Sequence, residues 1–91
     1  MPTIEIPTPL RPYTDGKATV SVTGETVADS LQDLFKQYPT IQHHIQDKQG
    51  KLRSFVNIYV EDEDIRSLDN EQTTVEENTN LIIVPSIAGG Q

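Results

Sequence analysis

Apolar and polar residues alternate over Thr3-Ile4-Glu5-Ile6, the pattern of a short half-buried strand. Pro7, Pro9 and Pro12 follow. Proline has no ladder N–H, so pairing there is confined to an edge or to irregular backbone. Asp15-Gly16 signals a turn, beyond which Ala18, Val20 and Val22 alternate with Thr19, Ser21 and Thr23. These two strands predict a hairpin with a long, proline-bearing connection.

The period then changes from two to 3.6. Val27, Leu31, Leu34, Phe35 and Tyr38 fall at i, i+4, i+7, i+8 and i+11, which places them on one face of a helix. Thr26 is the expected N-cap, Asp29 suits the positive end and Lys36 the negative end. Pro39 ends the helix. Ile41 and Ile45 are one helical turn apart and predict a short turn or helix, which Gln49-Gly50-Lys51 breaks.

Leu52 to Val60 reads as the longest strand, with Val56, Ile58 and Val60 on one face and Phe55, Asn57 and Tyr59 on the other. Glu61-Asp62-Glu63-Asp64 reads as an acidic turn, Ile65 to Leu68 as a small edge strand or a bend, and Asp69 to Thr74 as a loop. Val75 anchors the next turn. The run Leu81-Ile82-Ile83-Val84 is apolar throughout, which predicts a strand covered on both faces in the middle of the sheet. One amphipathic helix with four or five strands predicts a two-layer α+β domain.

Composition narrows the possible roles. Ninety-one residues support one small domain, and the absence of cysteine excludes disulfides, thiolate metal sites and a cysteine nucleophile. Fourteen acidic against seven basic residues give a net charge of −7, which disfavours nucleic acid and anionic membranes and favours a basic partner surface. The N-terminal residues lack a basic and then apolar leader pattern, and no apolar run approaches membrane-spanning length, so a cytoplasmic protein is expected.

Few side chains suggest chemistry. His43 and His44 are adjacent, so on a helix they point to different sides, and with no third ligand at a fixed spacing they read as solvated. A calcium loop starting at Asp62 would need Gly and Glu where Ser67 and Thr73 stand. Phe55 and Tyr59 form either a partner surface or a surface covered by a loop, and Leu10 and Ile87 are candidates to extend such a patch. Past the last strand come Ser86-Ile87-Ala88-Gly89-Gly90-Gln91. A Gly-Gly pair adds no packing, but it is slim enough to thread into another protein's channel. Ser86 to Gly90 span roughly 17 Å when extended.

Three segments together resemble a known family: Ile6-Pro7-Thr8-Pro9-Leu10-Arg11-Pro12, the run Phe55 to Arg66, and Ile83-Val84-Pro85-Ser86-Ile87-Ala88-Gly89-Gly90. The chain resembles the ubiquitin-like sulfur carriers, the group of the molybdopterin synthase small subunit and the thiamin sulfur carrier, and most nearly those of cysteine biosynthesis. The resemblance implies an α+β, ubiquitin-like β-grasp fold, a mixed four- to five-stranded sheet covered by one main helix. Residues 1–85 would form the domain and 86–91 a flexible tail.

By that resemblance Gly90 is the residue adenylated and converted to a thiocarboxylate, while Ala88 and Gly89 thread into the partner's channel. The chain would be a carrier and not an enzyme, with no catalytic residue, metal or cofactor of its own. ATP would be used by a ubiquitin-activating-type adenylyltransferase and sulfurtransferase, and a biosynthetic enzyme would accept the sulfur. Gln91 departs from the pattern, because its amide ties up the Gly90 carbonyl. Either a metallopeptidase removes Gln91 or activation has been lost. A regulatory subunit and a protein modifier are the competing functions.

Overall fold

The most apolar strand lies at the centre of the sheet. The computed structural model describes residues 1–85. In chain order they form β1 (Thr3–Glu5), a 3-10 segment (Thr8–Thr14), β2 (Thr19–Ser21), α1 (Val27–Gln37), a 3-10 turn (Pro39–Ile41) and α2 (Gln42–Ile45). Then follow β3 (Val56–Val60), β4 (Glu63–Asp64), two 3-10 turns (Ile65–Ser67, Asn70–Gln72) and β5 (Asn80–Pro85). The sheet order is β2-β1-β5-β3-β4. β1 runs parallel to β5 and the other neighbours are antiparallel, so the sheet is mixed, as expected of an α+β domain.

Register explains the core. Val20 lies opposite Ile4, Ile4 opposite Leu81, and Leu81 opposite Val60, so one row of apolar side chains crosses four strands. Ile58 opposite Ile83 starts the next row. Val27, Leu31, Leu34 and Phe35 of α1 join these residues in one buried cluster. The helix starts where expected: the Thr26 side chain accepts a hydrogen bond from the Asp29 N–H at 3.1 Å, and Tyr38 is the C-terminal cap before Pro39.

Four expectations are corrected. β3 begins at Val56 and not at Leu52, because Leu52 bridges Gln46 and the Val56 N–H turns back to the Arg53 carbonyl at 3.0 Å; the longest strand is β5. β5 is covered on one face only: Leu81 and Ile83 are buried, Ile82 is half-buried and Val84 is 38% exposed. A single main helix covers a single face, and the four-residue apolar run concealed that alternation. Glu63 and Asp64 leave the acidic turn to form edge strand β4, with Glu61 at positive φ making the turn from β3. Ala18 is exposed, since β2 starts at Thr19.

The proline-rich connection is ordered by specific bonds. The Arg11 Nε–H donates to the Ile6 carbonyl at 3.0 Å, and the buried Thr14 hydroxyl lies 2.9 Å from the Lys17 carbonyl. These contacts hold Leu10 in the core rim.

Candidate functional site at the end of the central strand

β5 is held between β1 and β3, so the place where the chain leaves the sheet is fixed. Val84 lies opposite Asn57, and Pro85 opposite Val56. Proline has no N–H to offer the ladder. The residues expected to work on a partner, Ile87, Ala88, Gly89, Gly90 and Gln91, lie outside the described residues.

Beside Pro85 is a groove of about 680 Å³. Pro9 and Leu10 reach it from the 3-10 segment, His43 and His44 from α2, and Arg53 and Phe55 from the segment before β3. Leu10 is only 8% exposed and forms its floor, whereas Phe55 is 39% exposed. Arg53 is pinned at the rim: its Nε–H donates to the His43 carbonyl at 2.9 Å and its backbone N–H to the Ile45 carbonyl at 3.0 Å. His44 stacks on Tyr13, with ring centroids 4.1 Å apart and planes 25° from parallel. His44 is thus half-buried against an aromatic ring, unlike the solvated side chain read from sequence, whereas His43 is exposed as read.

The structure brings Leu10 and Phe55 together at this groove and leaves Tyr59 out of it. Tyr59 is half-buried and lies opposite Ile82, on the side of the sheet where Val84 is exposed. Sequence reasoning expected Phe55 and Tyr59 to share a face. Phe55 precedes the strand, so strand alternation does not govern it. Pro9, His44, Arg53 and Pro85 were not singled out for this surface. They converge from four separate segments, and no periodic signal marks the meeting.

Two carboxylates have pKa values below the usual range. Asp47 accepts backbone N–H bonds from Lys51 at 3.0 Å and Gln49 at 2.9 Å; the Lys51 bond is the largest cause, and the Arg53 charge adds to it. Asp64 is held down first by the Arg66 side chain, an ion pair at 2.8 Å. Arg66 also donates to the Asn57 side chain. Among the described residues, no group of three or more His, Asp or Glu side chains is placed to hold a metal ion.

The ThiS family model matches residues 4–90, nearly the whole chain. The chain belongs to the ThiS family. The sulfur carrier protein CysO of Mycobacterium tuberculosis is 41% identical to this ThiS-family chain over 90 residues, covering 97% of each. The crystal structure of Mycobacterium tuberculosis CysO superposes with a TM-score of 0.88 at 38% identity, covering 96% of this chain and all of that one. CysO of Amycolatopsis orientalis, solved in a BexX/CysO complex, gives 0.89 at 36% identity, over 99% and 100% of the two chains. Small archaeal modifier protein 1 of Methanosarcina acetivorans gives 0.88 at 25% identity, over 98% and 95%. The fold is therefore a ubiquitin-like β-grasp, and the chain is of the sulfur-carrier kind and not an enzyme. No helix among the described residues is long and apolar enough to cross a membrane.

Proposed function

We propose that this ThiS-family chain carries sulfur on the carboxyl of Gly90. The observation that carries this reading is the family match itself, which runs through the Gly89-Gly90 pair and stops before Gln91. In the proposed sequence a peptidase, taken to be a zinc metallopeptidase, first cuts the Gly90–Gln91 peptide bond. The freed carboxylate attacks the α-phosphorus of ATP on a ubiquitin-activating-type enzyme, giving an acyl adenylate and pyrophosphate. A sulfur nucleophile then displaces AMP and leaves a thiocarboxylate.

The chemistry explains the residue type. A carboxylate is a poor electrophile, and AMP gives it a good leaving group. Glycine keeps the carbonyl unhindered, and Ala88 and Gly89 add almost no width behind it. An enzyme that accepts the sulfur completes the cycle, and similarity to CysO favours the cysteine pathway over molybdopterin or thiamin synthesis. ATP belongs to the activating enzyme in this scheme, and the carrier binds no cofactor.

Similarity to a small archaeal modifier protein supports a second reading, in which the activated Gly90 is joined to a lysine as an isopeptide. Intact-mass analysis separates the two. The chain ending at Gly90, incubated with the activating enzyme of its own genome, ATP and a sulfur source, is expected to gain the mass of one oxygen replaced by sulfur. Conjugates to other proteins would favour the modifier. Unchanged mass and no conjugate would sink both and leave a regulatory subunit.

A further inference from the structure

The groove beside Pro85 combines a hydrocarbon floor with one permanent cation, Arg53, at its rim. Leu10, Phe55 and Pro85 supply apolar surface, and His43, His44 and Arg53 stand at the edge. None of the described residues that line it is acidic, in a chain with twice as many acids as bases. The acids collect elsewhere. Glu61, Glu76 and Glu77 border a separate depression near Asn80, where β5 begins, at the other end of that strand. The carboxylate that feels Arg53 is Asp47; it is already engaged by the Lys51 and Gln49 N–H groups and does not line the groove.

We propose that this groove receives a segment of the activating enzyme in which an apolar side chain is flanked by Asp or Glu. The inference rests on the reading that Gly90 is delivered to such an enzyme. Pro85 is both a wall of the groove and the last described residue before the tail. An enzyme that takes in the residues beyond it therefore has its own surface against the groove. A volume of about 680 Å³ suits a large side chain and its neighbours. Arg53 supplies a permanent charge with donors in a fork that matches a carboxylate. Screening limits the reach of the distant acidic end to about one Debye length, roughly 8 Å at physiological salt, so Arg53 acts locally as a cation. A second copy of this chain fits less well, because each copy carries −7.

The test uses the chain ending at Gly90 and ATP–pyrophosphate exchange on the activating enzyme. Arg53→Glu is expected to raise KM for the carrier about tenfold with kcat unchanged, the size of one charge-assisted hydrogen bond. Lys51→Glu makes the same charge change outside the groove and is expected to leave KM nearly unaltered. Equal effects of the two substitutions, or none from Arg53→Glu, would overturn the proposal. A second measurement does not depend on activation. The isotope-labelled full chain is titrated with two blocked peptides, Glu-Glu-Leu-Phe-Glu-Glu and Lys-Lys-Leu-Phe-Lys-Lys, and amide shifts are followed. The acidic peptide should bind more tightly and shift Leu10, His44 and Phe55, against the repulsion of the whole chain. Equal binding, or shifts confined to other surfaces, would count against the groove. If the wild-type carrier is never adenylated, the carrier reading fails while the peptide titration still judges the groove.

Discussion

The two faces of β5 differ although they belong to one apolar run. Leu81 and Ile83 are 1% and 2% exposed beneath the layer that contains α1, while Val84 on the other face is 38% exposed and Ile82 is half-buried. The first pair makes the domain, since each side chain belongs to the single core cluster. The second pair adds little to that core and leaves hydrocarbon at the surface, close to where the tail departs. One strand therefore has two duties, and single substitutions can separate them.

The largest effect is expected at Ile83. Ile83→Ala removes buried methylenes from a close-packed core and should cost about 2–5 kcal/mol of unfolding free energy. Val84→Ala, one residue on, should change stability by no more than about 0.5 kcal/mol. Urea unfolding of both variants measures the contrast. Similar losses would mean that the open face is also part of the core, and would break the comparison.

Next in size is Gly24, at the junction that turns the chain from β2 into α1. Its φ is +148°, and a Cβ there would lie 2.8 Å from the Ser30 nitrogen and from the Asp29 Cβ. Backbone cannot yield as a flexible side-chain tip can. Gly24→Ala should therefore destabilise by about 1–3 kcal/mol, from the disfavoured conformation together with the clash. A melting temperature equal to wild type would show that the junction has slack.

The fold was legible where one local rule and the tertiary context agreed. The 3.6 spacing of Val27 to Phe35, the Thr26 cap and Pro39 gave α1 nearly to the residue. The apolar run of β5 correctly pointed to the centre of the sheet, and it misled about the second face because uninterrupted hydrophobicity carries no alternation to read. The candidate site divides in the same way. The Gly89-Gly90 pair stood out in the sequence through its resemblance to sulfur carriers, whereas the groove did not. Leu10, His44, Arg53 and Pro85 are brought together from four separate segments, and spacing along the chain encodes no such meeting. Sequence placed Phe55 with Tyr59, and the late start of the strand at Val56 parted them.

The smallest expected effect lies on the β3 side of the sheet, where the Arg66 guanidinium joins Asp64 and Asn57. Arg66 holds the Asp64 carboxyl below its ordinary range, so the unfolded chain takes up this proton more readily than the folded one. A depressed folded pKa gives stability that is present above the unfolded pKa and lost as pH falls through the folded one. The pair lies at the surface, with Arg66 exposed and Asp64 half-buried, so its contribution is small and screened by salt. Asp64→Asn should accordingly lower the urea midpoint slightly at neutral pH, and the gap from wild type should close as pH drops through the aspartate range. Asp47 is also depressed, but it is common to both proteins and cancels in the difference. A gap that persists unchanged in acid would mean that Asp64 acts through its neutral hydrogen bonds, including the 2.9 Å bond from the Arg66 backbone N–H, and not through its charge.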